Sequence, residues 1–282
     1  MDGKLTREYA ASLIPRRSPN THKGDFGKVL ILAGSVNYSG AAVLAARSAV
    51  RGGAGLVYLS VPRTIYTIAA VGCLEAITIR REDGFYETLQ KCNVCAVGPG
   101  LGISDDSKET VLALLKTCQV PLIIDADGIN VIADNLKALD AADCPVVLTP
   151  HEGEFARLAP SLAENTGITK ENRASLFAKA HKCTLVLKGH GTVIAYPDGS
   201  TLTNTAGNPG MAKGGSGDAL TGLIAALAGQ LPLKDAVALA VFVHSFAADI
   251  LAKRISELSI TAHDIIESYG EALFQLSIAK EQ

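Results

Sequence analysis

Leu122-Ile123-Ile124-Asp125-Ala126-Asp127-Gly128 is the stretch that sets the architecture. Three apolar residues in unbroken succession, closed by a turn bearing two carboxylates, lack the alternation of a strand with one face in water. They suit a short strand covered on both faces of a parallel sheet. The same kind of run recurs on either side, at 29–32, 56–61, 94–97, 146–148 and 185–187. Helical patterns at 40–51, 106–117 and 170–181 fit between these runs. Alternating β and α units predict a doubly wound, mainly parallel sheet flanked by helices, three layers with right-handed crossovers.

The pattern changes after Lys188. Val193-Ile194-Ala195-Tyr196 and Thr201-Leu202-Thr203, joined through Pro197-Asp198-Gly199, predict a hairpin. Three helices are then expected to close the chain, starting near Ser216, Lys234 and Thr261, with Thr261-Ala262-His263-Asp264 as a capping box. No linker, repeat or low-complexity tract interrupts residues 1–282, which reads as a single domain.

Composition narrows the function. A net charge of −2, with acids and bases interspersed, offers no basic stripe for nucleic acid. The longest apolar stretch, 236–252, contains His244 and Asp249 and falls short of a membrane span, so a buried helix is expected. Met1 to Glu8 shows no apolar signal segment, which points to the cytoplasm. The cysteines sit in apolar surroundings, as reduced core thiols do. Cys92-Asn93-Val94-Cys95 has redox or zinc spacing but lacks a second ligand pair, so a structural role is expected.

Ligands of open α/β sheets bind outside the carboxyl ends of the strands. Three strand ends carry ionisable or polar residues: Asp125 to Gly128, Thr149-Pro150-His151-Glu152-Gly153-Glu154, and Lys188-Gly189-His190-Gly191-Thr192. Each alone could be a cap or a solvated loop. Together they predict a polar rim. The strongest signal is Asn208-Pro209-Gly210-Met211-Ala212-Lys213-Gly214-Gly215-Ser216-Gly217-Asp218-Ala219-Leu220-Thr221-Gly222, in which a glycine-rich turn feeds into an apolar helix. Backbone amides converge at such a helix start and favour an anion, and glycines let a phosphate come close. Asp218 either caps this helix or serves as a general base beside the anion. No Walker A motif and no strand-linked dinucleotide fingerprint is present.

Gly214-Gly215-Ser216-Gly217-Asp218 resembles the G-x-G-D anion hole of ribokinase-like kinases. Within that superfamily the chain resembles the NAD(P)H-hydrate dehydratases over nearly its whole length. The matching stretches are His22 to Gly27, Gly34-Ser35 with Tyr38 to Ala42, Gly53 to Leu56, Gly98 to Gly102, Asp125 to Gly128, Thr149 to Glu154, Lys188-Gly189, and Asn204 to Asp218. The resemblance implies a ribokinase-like fold and ADP-driven dehydration of the S-epimer of NADHX or NADPHX, with Mg²⁺ and with ATP as the alternative donor. Without an epimerase domain ahead of this segment, the chain resembles the bacterial, ADP-using members. A functional link to an NAD(P)HX epimerase and assembly into a homo-oligomer are also implied.

The resemblance assigns roles by position. Ala41 or Ala42, Gly100 or Gly102, and His151 would line the hydrate pocket. Lys188, Gly189, His190, Gly191, Thr192 and Gly217 would hold the nucleotide. Gly215, Ser216 and Gly217 would form the anion hole, and Asp218 would meet the hydrate's hydroxyl. Asp125, Asn130 and Glu154 sit where related enzymes arrange metal-bound water. Two rival readings are an ordinary kinase of the same fold, acting on a hydroxymethylpyrimidine or thiazole alcohol, and a non-catalytic nucleotide sensor. The kinase would leave a stable phosphorylated product, and the sensor would not need Asp218.

Overall fold

In the computed structural model of the protein, which describes residues 2–281, the apolar runs become the middle of one ten-stranded sheet. The strands are β1 (Asp2–Leu5), β2 (Lys28–Leu32), β3 (Leu56–Val61), β4 (Ile77–Arg80), β5 (Val94–Val97), β6 (Leu122–Ile124), β7 (Val146–Leu148), β8 (Thr184–Leu187), β9 (Val193–Ala195) and β10 (Thr201–Asn204). Their spatial order is β1-β10-β9-β8-β7-β6-β5-β2-β3-β4. Only β9 runs against the rest, as the return arm of the expected hairpin.

Burial on both faces explains the unbroken apolar runs. In β2, Val29 and Ile31 enter the core on one face while Leu30 and Leu32 enter the core on the other. In β5, Val94 and Ala96 divide from Cys95 and Val97 in the same way. None of these residues has water to face and none is polar; Lys28, the one polar residue of β2, stands at its partly exposed start.

Strands β1 and β4 were not legible in this way. They sit at the two edges of the sheet, where short and partly polar strands are the norm. Asp2-Gly3-Lys4-Leu5 carries too little apolar signal to stand out, and it is held by parallel pairing with β10.

The closing segment corrects one expectation. Among the described residues four α-helices follow the hairpin: Ser216–Ala228, Leu233–Ala252, Ala262–Glu267 and Tyr269–Glu281. Ser268 separates the last two while keeping helical torsions, so no glycine or proline marks the break. The Thr261 capping box forms: Thr261 Oγ1 accepts from the Asp264 amide (3.2 Å), and Asp264 accepts from the Thr261 amide (2.9 Å).

Leu233–Ala252 is long and apolar enough to cross a membrane by length and composition, yet 78 % of its apolar window is buried inside the molecule. Ser216–Ala228 packs against Ser39–Arg51 so closely that a methyl group on Gly222 would lie 2.0 Å from the Ala45 carbonyl oxygen.

This topology positions the site. Parallel strands β2, β5, β6, β7 and β8 all send their following loops to one sheet edge. Winding proceeds outward in opposite directions from the β5–β2 neighbours, which makes that junction the switch point where α/β sheets open a crevice.

Candidate active site

At the end of β6 the chain takes an uncommon turn. Ala126 has φ 49° and ψ −117°, a conformation that a side-chain-bearing residue holds only when its surroundings enforce it. The turn sends its two neighbouring carboxylates to different partners. Asp125, only 1 % exposed, receives Lys188 Nζ at 2.8 Å and the Thr221 hydroxyl at 2.8 Å. Asp127 receives the amide of Gly102 at 2.8 Å, tying the loop after β5 to the loop after β6.

Lys188 follows β8 and stands between acids. Glu154 lies 3.9 Å from its ammonium, farther than the short Asp125 pair. Burial alone would depress the Lys188 ammonium, but Asp125 and Glu154 outweigh it and hold it above its ordinary value. Burial likewise works to raise Asp125, and Lys188 with the Thr221 hydroxyl brings it below the usual carboxylate range. The pair is charged at neutral pH.

Gly217 lies beside this pair: a methyl there would sit 3.1 Å from Lys188 Nζ and 3.7 Å from Asp125 Oδ2. The helix begins at Ser216, after Gly215 in the left-handed region at φ 92°. Among the described residues, the amides of Gly215, Gly217 and Asp218 find no acceptor, and that of Ser216 reaches only Lys213 O at 3.4 Å. Open amides at the start of a thirteen-residue helix, with an ammonium alongside, form an anion site.

Asp218 is not a cap. No side chain caps this helix start. Burial first, and then the charge of Asp125, raise its carboxyl to about 6 against the pull of Lys188. A carboxylate of that basicity, next to an anion site, can take a proton from a substrate hydroxyl near neutral pH.

Residues 29–270 match a family model described as NAD(P)H-hydrate dehydratase. The chain belongs to this family. It is 40 % identical over 276 residues to a bifunctional NAD(P)H-hydrate repair enzyme of Moorella thermoacetica, an alignment that covers 93 % of this chain and 52 % of that protein. The chain thus spans about half the length of such bifunctional relatives. It is 36 % identical over 259 residues to the ADP-dependent (S)-NAD(P)H-hydrate dehydratase of Staphylococcus aureus, covering 90 % of this chain and 92 % of that one. Its fold is ribokinase-like. It superposes with a TM-score of 0.86 on the ADP/ATP-dependent NAD(P)H-hydrate dehydratase of Bacillus subtilis co-crystallized with ATP/Mg²⁺, at 30 % identity and with 97 % and 98 % of the two chains covered.

The dehydratase-family positions fall into place unevenly. Gly100, at φ 57°, is packed against Tyr38 and Ala41, so that a methyl there would lie 2.9 Å from the Ala41 Cβ. Ala41 therefore belongs to the crevice at the β5–β2 junction. Ala42 does not: it is wholly buried and packs under Gly34, because successive helix residues point about 100° apart. Gly102 is held there by Asp127.

His151 is half-exposed and caps the helix Glu152–Leu158. Its Nδ1 accepts from the amides of Gly153 (3.0 Å) and Glu154 (3.2 Å), and Glu154 accepts from the His151 amide (2.8 Å). The ring proton is thereby placed on Nε2.

Gly189 to Thr192 form the turn between β8 and β9, in which His190 is exposed. The Thr192 hydroxyl donates to Gly189 O at 3.1 Å.

The expected metal-site residues do not fit direct coordination. Asp125 is neutralised by Lys188, Glu154 is occupied by its cap, and Asn130 Oδ1 accepts from Arg157 at 2.9 Å. Among the described residues no group of three or more His, Cys, Asp or Glu side chains could hold a metal.

Several site residues escaped the sequence reading. Asp127 lay in a quoted motif with no role attached. Thr221, one helical turn beyond Asp218, likewise lay in the quoted glycine-rich segment with no role attached, because it looks like any small polar residue in an apolar helix. Lys170 donates to the Lys188 and His190 carbonyls (3.4 and 3.3 Å) from a helix with no motif at all. Asp249 had a readable signal, since it interrupts an apolar run. It accepts from the Gly207 amide and the Asn208 side chain at the start of the glycine-rich loop.

Proposed function

We propose that the protein is an ADP-dependent (S)-NAD(P)H-hydrate dehydratase that returns 6-hydroxylated NADH or NADPH to NAD(P)H, releasing AMP and phosphate. One observation carries this reading: an uncapped Asp218, raised to about 6, stands next to open helix-start amides and the Lys188 ammonium. Hydroxide is a poor leaving group, and phosphate is a good one. Asp218 takes the proton of the C6 hydroxyl as its oxygen attacks the β-phosphorus of ADP, with AMP as the leaving group. The amides near Gly215 to Asp218 and the Lys188 ammonium stabilise charge on the transferring phosphoryl group. The ring nitrogen lone pair then expels phosphate, and loss of a proton from the adjoining carbon restores the dihydropyridine.

Ala41, Gly100 and Gly102 at the switch point would take the hydrate, with His151 on the neighbouring rim. Gly189 to Thr192 would take the nucleotide. Mg²⁺ would be carried in on the nucleotide phosphates rather than held by protein carboxylates, and would there help neutralise phosphate charge.

The same reading makes the chain one domain in the cytoplasm, supplied by an NAD(P)HX epimerase. Six free, buried thiols support a reducing compartment. Exposed Ile68, Val71 and Leu74 beside edge strand β4 support self-association into a homo-oligomer.

The test mixes the protein with NADHX, Mg²⁺ and either ADP or ATP, and follows NADH absorbance, AMP and phosphate. ADP should support turnover far better than ATP, with AMP formed in step with NADH. A stable phosphorylated product would make the protein an ordinary kinase.

A further inference from the structure

We propose that His244 and Tyr269 form a buried relay that turns the Ser216 hydroxyl proton outward, making Ser216 a side-chain donor to the anion site. This inference rests on the functional reading above and adds a donor to the same site. His244 lies in the middle of Leu233–Ala252 and is 4 % exposed, and Tyr269 is wholly buried at the start of the last helix. His244 Nε2 is 3.1 Å from Ser216 Oγ, and Nδ1 is 2.8 Å from the Tyr269 hydroxyl. Ser216 itself is the first residue of the helix whose open amides form the anion site.

The protons can be counted. Burial first, with the Lys188 charge adding to it, drives His244 down to about 3, so the ring is neutral and has one N–H to give. A phenol is a better donor than acceptor because its oxygen lone pair is delocalised into the ring. An aliphatic hydroxyl oxygen is the better acceptor. Tyr269 also meets Ser48, whose own proton goes to the Ala219 carbonyl, so the phenol has two acceptors within reach. The imidazole nitrogen is the more basic of the two, so the Tyr269 proton pairs with the lone pair at Nδ1, and Nε2–H is left to donate to Ser216 Oγ. With its oxygen already accepting, Ser216 has its own proton free to point toward the open amides. The opposite tautomer would draw that proton into the core and leave only lone pairs facing an anion.

The same helix holds the other end of the loop. Asp249, five residues beyond His244, accepts from the Gly207 amide (2.8 Å) and from Asn208 Nδ2 (2.9 Å). His244 and Asp249, on a largely apolar helix, thus fix the glycine-rich segment at both of its ends. A histidine that merely fills the core would need no partner in that loop.

The test is a double-mutant cycle with Ser216→Ala, Tyr269→Phe and the double variant, assayed with NADHX and ADP. Ser216→Ala should lower kcat on the order of a hundredfold, the usual loss for one anion-hole donor, with little change in KM for the hydrate. Tyr269→Phe removes one oxygen and keeps the packing. It should lower kcat at least about threefold, and add nothing on the Ser216→Ala background. Nitrogen-15 shifts of labelled imidazole should show the Nε2–H tautomer in the wild type from pH 5 to 8. Multiplying losses in the double variant, or an Nδ1–H tautomer, overturns the relay. If the wild type turns over no hydrate, the proposed function fails. The same cycle read as ADP dissociation constants then decides the relay on the same terms.

Discussion

Two carboxylates share Lys188, and their environments push them apart. Asp125 takes the short ammonium contact and the Thr221 proton, so it stays ionised below the usual range in spite of burial. Asp218 gets neither hydrogen bond and, after burial, feels Asp125 as a like charge, which leaves it near 6. Separation of this kind is what the proposed mechanism requires, with Asp125 kept ionised and Asp218 free to take a proton near neutral pH. Asp218→Asn should keep ADP binding and lose at least about a hundredfold in kcat, the contribution expected of a general base. In the wild type, kcat/KM should rise with pH through about 6, and this limb should vanish in the variant. Stability moves the other way. Because the folded value lies above the ordinary 3.8, the stabilising contribution of Asp218 is complete below 3.8 and is lost as pH rises through about 6. Asp218→Asn should therefore melt higher than wild type at pH 7.5, by on the order of 1–2 kcal/mol after solvent screening, and equal it near pH 4. A pH-independent gap, or normal turnover in an assay limited by chemistry, would reduce Asp218 to a packing residue. The glycine-rich segment made Asp218 legible in the sequence, since an acid one step past Gly217 has few other reasons to be there. Whether it capped the helix was not legible, because a cap and a base look alike until the free amides are seen.

Elements differ in how plainly the sequence announces them. Beyond Lys28 at the start of β2, strands β2, β5 and β6 are apolar at every position because two cores press on them, and that pattern is independent of their neighbours. Edge strands β1 and β4 owe their form to pairing partners far along the chain, which no local pattern records. Contacts across the sheet edge, such as Asp127 with Gly102 or Lys170 with His190 O, are invisible for the same reason. Between elements, the decisive contact is that of Ser216–Ala228 with Ser39–Arg51. These two helices carry Asp218 and Ala41, so their separation sets the distance from base to crevice. Gly222 permits the approach: a Cβ would meet the Ala45 carbonyl oxygen at 2.0 Å and Ser48 Cβ at 2.9 Å. Backbone cannot swing aside as a side chain can, so Gly222→Ala has to part the helices. Overpacking of this kind should cost about 3 kcal/mol, read as a lower urea midpoint with an unchanged slope. Turnover should fall as well, because Asp218 moves with its helix. An unchanged urea midpoint would mean that the helices have room to part.

At the scale of the molecule, the sheet is a wall shared by two cores. Each of β2, β5 and β6 contributes alternate residues to both sides, so neither side can lose its order without exposing the backs of the same strands. The proposed single domain should therefore unfold as one unit, and the cysteines are placed to test this. Cys73 lies in one core, while Cys92, Cys95, Cys118, Cys144 and Cys183 lie in the other. All six are free and buried, the most accessible being Cys144 at 7 %. Burial raises the thiols of Cys73, Cys95 and Cys183, which makes them poor nucleophiles while the fold is intact. A thiol reagent should label the native protein only at the rate set by opening, and label all six groups after unfolding. Across a urea series, mass spectrometry should place the onset for Cys73 at the same midpoint as that for Cys95 and Cys183. If Cys73 becomes reactive at clearly lower urea than the others, the face carrying Ser39–Arg51 and Ser216–Ala228 opens first. The anion site would then sit on the weaker half of a protein that unfolds in two steps, and the one-domain proposal would fail.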